Sequence, residues 1–205
     1  MKLLVTAFGP FDGRARNASA LALQGLKGRF GWINTRVLPV DGRRAPQRMT
    51  AALRELQPDA VLMLGEAAGS TTLRLETSAW NELDFPIPDI SGWQPRGSNI
   101  LPGGPESLPA TLPWEALQAD LSAAGFPASS SMDAGRYLCN QLMFHTLHHL
   151  AKHSPGTVAG FIHLPLSAQL PTARAVEALG RVIEMMRRRP MEYSRRQSAA
   201  AKLVG

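Results

Sequence analysis

The sequence predicts an α/β fold: a single domain on an open, twisted, mostly parallel sheet with helices on both faces. Three observations carry this expectation. Strand-like and helix-like runs alternate along the chain. Ala60-Val61-Leu62-Met63-Leu64-Gly65 is apolar without alternation, as in a strand covered on both faces. Across 205 residues there is neither an internal repeat nor a separating linker, so residues 1–190 read as one domain and residues 191–205 as a basic tail.

Taken in order, Lys2–Phe8 is an apolar first strand. Its charge and apolar run resemble a short signal peptide, but it has no small-residue cleavage site and turns at once into Gly9-Pro10-Phe11. Asn17 or Ser19 is placed to cap a helix bearing Leu21, Leu23 and Leu26. Thr35–Val40 reads as a strand. A helix from Pro46 follows, with Met49, Ala52, Leu53 and Leu56 at i, i+3, i+4 and i+7. After the buried strand Ala60–Gly65, Thr71–Glu76 alternates, with Leu73 and Leu75 on one side and Arg74 and Glu76 on the other. Pro86–Pro113 is rich in Pro, Gly, Ser and Asn, too long for a passive connector, and predicts a lid or binding loop. Pro113 opens a helix with Trp114, Leu117 and Leu121. Leu138, Leu142, Met143, Leu147 and Leu150 mark another that begins near Arg136 or Tyr137. Val158–Leu164 is a strand, and Thr172 is placed to cap a last helix through Val176, Leu179, Ile183 and Met186.

Composition narrows the functional classes. No apolar run approaches the roughly 20 residues needed to span a bilayer. One cysteine excludes an internal disulfide framework and suits a reducing cytoplasm. The net charge of +6 is concentrated at the end, where seven basic residues face two acidic ones between Arg181 and Gly205. Cations at a helix C-terminus oppose its dipole favourably, and no aromatic or glycine pattern of a nucleic-acid module accompanies them. His145 and His149 have the i, i+4 spacing of metal ligands, but no third ligand is evident, and they read, like His148 and His153, as a solvated helix face. No phosphate-cradling loop is evident, since Gly9-Pro10-Phe11-Asp12-Gly13 lacks the lysine and Ser/Thr of a P-loop, and no cofactor is expected.

The chemistry centres on the single cysteine. Cys139 falls in the first turn of a helix, where unpaired N–H groups and the dipole favour a thiolate. His163 lies near the end of the strand Val158–Leu164. A nucleophile at a helix start and a histidine at a strand end are what a cysteine hydrolase needs. In an α/β sheet, Phe8, Gly65 and His163, all at strand C-termini, converge on the crevice where ligands bind.

Four ordered segments then resemble the type I pyroglutamyl peptidase (pyrrolidone-carboxylate peptidase) family: Thr6–Gly13 with Asn17 and Ser19, Glu76–Asn81 with Ile87-Pro88-Asp89, Ala134–Asn140, and Gly160–Pro165. The resemblance spans Lys2 to about Pro165. It implies release of an N-terminal pyroglutamate (5-oxoproline) from peptides, with Cys139 as nucleophile, His163 as general base and then acid, and Glu76 orienting the imidazole. It implies a substrate pocket at Phe8, Phe11, Asn17, Tyr137 and Leu138, with Glu66 a further candidate, and a homotetramer without cofactor. Aromatic faces suit the ring methylenes, and backbone groups or an amide suit the lactam.

The chain departs from the family pattern in places. Glu66 stands for glutamine, Ala18 for proline, Ser70 for arginine, Thr77 for arginine, and Pro86 for the arginine that precedes Ile-Pro-Asp. Arg74 and Arg96 are the candidates to replace that last cation. Two rival readings follow: a weakly active or non-catalytic paralogue binding a lactam or blocked peptide, and an interaction protein that uses its basic tail.

Overall fold

The computed structural model describes residues 1–188; the basic tail at 191–205 lies outside the described residues. Its centre is a six-stranded sheet of order β2-β1-β3-β8-β4-β7. β1 (Leu3–Phe8), β2 (Asn34–Leu38), β3 (Ala60–Glu66) and β8 (Val158–Leu164) run parallel; β4 (Leu73–Glu76) is antiparallel to β8, and β7 (Ala128–Ser131) is parallel to β4. β5 (Ser78–Trp80) and β6 (Ser107–Pro109) form a separate antiparallel pair.

Side chains alternate across the sheet, and each set meets its own helices. Leu3, Val5, Ala7, Leu62, Leu64, Leu73, Leu75 and Ile162 join the core that includes α1 (Ala18–Arg29), α3 (Trp114–Ala123) and α5 (Thr172–Arg188). Leu4, Phe8, Val61, Met63, Ala159 and Phe161 face α2 (Arg44–Leu56) and α4 (Leu138–His153). Helices on both faces explain why β1 and β8 are buried at every residue.

Most element ends follow local chemistry. Asn17 caps α1, its Oδ1 accepting Ser19 N–H at 2.9 Å. α2 starts at Arg44, two residues before the expected Pro46. Asp41 Oδ1 accepts the N–H groups of Arg43 (2.9 Å) and Arg44 (2.8 Å), and proline is tolerated in a first turn whose N–H groups lack helical acceptors. Thr172 is the first residue of α5 rather than its cap.

The 86–113 segment is stitched down rather than loose. Asn81 exchanges hydrogen bonds with the main chain of Leu101 (2.8 and 2.7 Å). Asp89 accepts Gly42 N–H at 2.8 Å, together with the N–H groups of Ser91 and Trp93. These bonds hold the Asp89 carboxyl below its ordinary pKa despite the opposing effect of burial. Phe85, fully buried, packs edge-on against Trp93 and Tyr137. Only Pro86 and Ile87 of this segment reach the cavity beside Cys139.

Candidate active site

The reversed direction of β4 creates the first half of the site. In its antiparallel register with β8, Arg74 lies opposite His163 and Glu76 opposite Phe161. All four side chains share a face, so Glu76 is the diagonal neighbour of His163. Its Oε1 lies 2.8 Å from His163 Nδ1, and neither residue meets solvent appreciably (0% and 5% exposed). A carboxylate on Nδ1 holds the tautomer and leaves Nε2 for the opposite side.

That side belongs to α4. Tyr137 is its extended N-cap, without a side-chain cap bond, and half-buried Cys139 is its second residue. Gln141 N–H is bonded to Tyr137 O at 3.1 Å, while the amides of Leu138, Cys139 and Asn140 come before this first helical donor and have no helical acceptor. Asn140 anchors this end: its Oδ1 accepts Trp80 N–H (2.7 Å), and its Nδ2 donates to Trp80 O (2.8 Å) and Glu82 O (3.0 Å). Sequence reasoning assigned Asn140 no role; an amide side chain directly after the single cysteine was the available signal.

Gly65 was seen as a strand end, but not as a space-maker. It lies opposite His163 in the β3–β8 register, and a Cβ there would stand 2.7 Å from the Phe161 ring and 2.9 Å from Cys139 Sγ. The absent side chain is what lets the sulfur settle over the sheet beside the histidine. Burial pushes the His163 pKa down, but the charge and hydrogen bonding of Cys139 and Glu76 overcome it and raise it to about 9. Cys139 and Glu76 thus both favour the protonated imidazole.

Cys139 opens on a cavity of about 220 Å³ whose lining includes all six expected pocket residues: Phe8, Phe11, Asn17, Glu66, Tyr137 and Leu138. Phe11 and Tyr137 are in contact, with ring centroids 5.6 Å apart, and make one continuous aromatic wall. Tyr137 OH donates to Pro88 O at 3.3 Å. Phe8 is only 4% exposed and belongs both to the core and to the cavity floor. Asn17 Nδ2 donates to Gly9 O (3.2 Å) while its Oδ1 caps α1, so its amide is already engaged.

The structure separates the two candidate arginines. Arg74 Nε lies 3.2 Å from Glu76 Oε1, and its Nη2 donates to Ser131 Oγ at 2.9 Å and to Asp133 O. Arg96 pairs with Asp84 at 3.5 Å among exposed side chains. Glu66 is held by Arg14 and by the Ala18 N–H, each at 2.6 Å. The histidines of α4 stand apart from this site; the His149 and His153 rings meet at 4.5 Å, tilted by 41°. Part of the C-terminal basicity is neutralised internally, since Arg181 makes paired bonds to Asp120 (2.8 and 2.9 Å) and Arg187 pairs with Glu184 (2.9 Å). No helix of the described residues is long and apolar enough to cross a membrane.

Comparison with known proteins agrees with this geometry. A family model described as pyroglutamyl peptidase matches residues 1–180. The pyrrolidone-carboxylate peptidase of Clavibacter michiganensis is 39% identical over 170 residues, covering 82% of this chain and 79% of its own. That of Pyrococcus furiosus is 38% identical over 168 residues, covering 80% and 81%. Among solved structures, the pyrrolidone carboxyl peptidase of Fervidobacterium islandicum superposes with a TM-score of 0.87 at 27% identity, covering 92% of this chain and 99% of that one. Pyroglutamyl peptidase I of Bacillus amyloliquefaciens does so with a TM-score of 0.83 at 30% identity, covering 87% and 91%. With a fold, a family match and relatives that all agree, the chain belongs to the pyroglutamyl peptidase family and is a cysteine peptidase of the pyroglutamyl peptidase I type.

Proposed function

We propose that this enzyme releases N-terminal pyroglutamate from peptides through a triad of Cys139, His163 and Glu76. The observation that carries the reading is the His163 ring, held by buried Glu76 on Nδ1 at 2.8 Å and interacting with the thiol at the start of α4. His163 acts first as general base, taking the proton of the Cys139 thiol to generate the thiolate. The thiolate attacks the carbonyl carbon that joins the pyrrolidone ring to the peptide. The carbonyl oxygen becomes an oxyanion, which the first amides of α4 are placed to receive. His163 passes its proton to the leaving amine as the C–N bond breaks, and a thioester remains on Cys139. His163, now neutral, takes a proton from water, whose oxygen attacks the thioester. The C–S bond breaks, 5-oxoproline leaves, and His163 returns its proton to the Cys139 sulfur.

The pocket residues divide the ring between them. The Phe11–Tyr137 wall and Phe8 supply apolar faces for the ring methylenes, with Leu138 beside the nucleophile. Phe11 and Tyr137 touch, so the ring lies against this pair rather than between them. Main-chain groups, with the second Nδ2 hydrogen of Asn17, supply the polar contacts. Arg74 on Glu76 places a cation beside the triad, while Pro86 lines the cavity without one.

The substrates are peptides blocked by pyroglutamate, and nucleic acid and membranes are not partners. A homotetramer in the cytoplasm is the expected state, the compartment because the nucleophile is an unpaired cysteine. The direct test is incubation of the purified protein with a pyroglutamyl peptide, with and without prior thiol alkylation. Free 5-oxoproline that disappears after alkylation supports the reading; its absence from both refutes it.

A further inference from the structure

The loop between β1 and α1 delivers Phe11 and Asn17 to the cavity, yet few bonds hold it. At its base Gly9 N–H donates to Leu38 O at 3.0 Å, and Asn17 donates to Gly9 O. Its tip is a tight turn closed by Arg14 N–H on Phe11 O at 3.2 Å, with Asp12 and Gly13 at positive φ of 57° and 67°. Among the described residues, no main-chain hydrogen bond joins residues 10–16 to the rest of the fold. Their one polar tether there is the Arg14–Glu66 ion pair at 2.6 Å.

Glu66 is well placed to act as the anchor. It ends β3, paired in register with Leu164 of β8, and its side chain is 10% exposed. One carboxylate oxygen takes Arg14 at the tip of the loop, and the other takes the Ala18 N–H at its foot, again at 2.6 Å. Ala18 is the first residue of α1, where an N–H has no helical acceptor and an anion is favoured. Two departures from the family pattern thus meet in one hydrogen bond: a carboxylate at position 66, and a residue with an N–H, which proline lacks, at position 18.

We propose that Glu66 is a positioning residue that sets the β1–α1 loop so that Phe11 completes the aromatic wall before substrate arrives. The proposal rests on the reading of the cavity as the pyrrolidone site. Its effect is preorganisation: a loop already in place need not be ordered when the ring binds. The expected signature is therefore in KM rather than kcat.

Three variants test it: Glu66→Gln, which keeps an acceptor for Ala18 but removes the charge opposite Arg14; Arg14→Met; and the double variant. Arg14 is partly exposed, so the pair stands at the upper end of surface ion pairs, and each single variant should raise KM about fivefold with kcat little changed. The double variant should match the singles, and Arg14→Lys should recover part of the loss. Limited trypsin digestion gives a readout independent of turnover. Nicking after Arg16, at an exposed loop, should quicken in Glu66→Gln and in Arg14→Met while the melting temperature holds. An unchanged KM, a fall in kcat at constant KM, losses that multiply in the double variant, or unchanged nicking would each overturn the proposal. If the unaltered enzyme fails to cleave pyroglutamyl amides, the assignment of the cavity fails, and the nicking rates alone still decide whether Glu66 tethers the loop.

Discussion

Replacing Glu76 with glutamine removes one charge from the centre of the site and nearly nothing of its shape. In the intact protein the His163 pKa stands at about 9, raised against burial by Cys139 and Glu76 together. Among the described residues, the ionisable groups that face the ring or its partner are Cys139 from α4, and Glu76 and Arg74 from β4. Glutamine abolishes the anion on Nδ1 and leaves the Arg74 cation, 3.2 Å from the former carboxylate oxygen, without its partner. Both changes disfavour the imidazolium, so its pKa must fall. An opposite charge in hydrogen-bonding contact is worth about 1–3 units. The alkaline limb of kcat/KM, which reports loss of the His163 proton, should therefore move down by about one unit or more. A charge-assisted hydrogen bond contributes about 1.5–3 kcal/mol, so kcat at neutral pH should fall about 10- to 100-fold. The assay is hydrolysis of a pyroglutamyl chromogenic amide from pH 5 to 10, for the unaltered enzyme, Glu76→Gln and His163→Ala. An alkaline limb that stays in place, or a loss in Glu76→Gln as complete as in His163→Ala, would refute an orienting and charge-stabilising role for Glu76.

Other outcomes follow from the same geometry. Cys139→Ala should abolish turnover with little change in melting temperature, and adding His163→Ala should cause no further loss, because residues acting as a unit are not additive; substantial turnover in Cys139→Ala excludes the cysteine mechanism. Phe11→Ala should lower kcat/KM about 10- to 200-fold by removing apolar contact with the ring, and unchanged steady-state kinetics would return Phe11 to a purely packing role. Gly65→Ala should both inactivate and destabilise, the latter by about 1–3 kcal/mol in denaturant melts, because its methyl would press on the Phe161 ring and on Cys139 Sγ. A fully active, fully stable Gly65→Ala protein would mean that the sulfur is seated elsewhere.

Much of this protein was legible one element at a time. The periodicity of β1, β3, β8 and the α helices, the cap at Asn17, and Cys139 in a first helical turn are local properties, dictated by residues within a turn or two of one another. The pocket residues were expected through resemblance to a family, and the six line one cavity. β7 was not: Ala-Ser-Ser-Ser has little strand propensity, and the segment is extended because it pairs with β4. The 86–113 segment announced its length but not its seams, since Asn81 and Asp89 secure it through partners about 20 and 47 residues away.

The sequence by itself pointed to the residues proposed to carry the chemistry and determined which short elements hold them. Only the tertiary structure decided that β4 runs against β8, which sets Glu76 on His163 across 87 residues of chain. The same long-range pairing placed Arg74 rather than Arg96 beside Glu76, made Gly65 the gap beneath the sulfur, and joined Arg14 to Glu66. The physical reason is one of range. Periodicity and capping act over a few residues, whereas strand direction, register and ion pairing between distant segments are settled when the two faces of the sheet close on their helices.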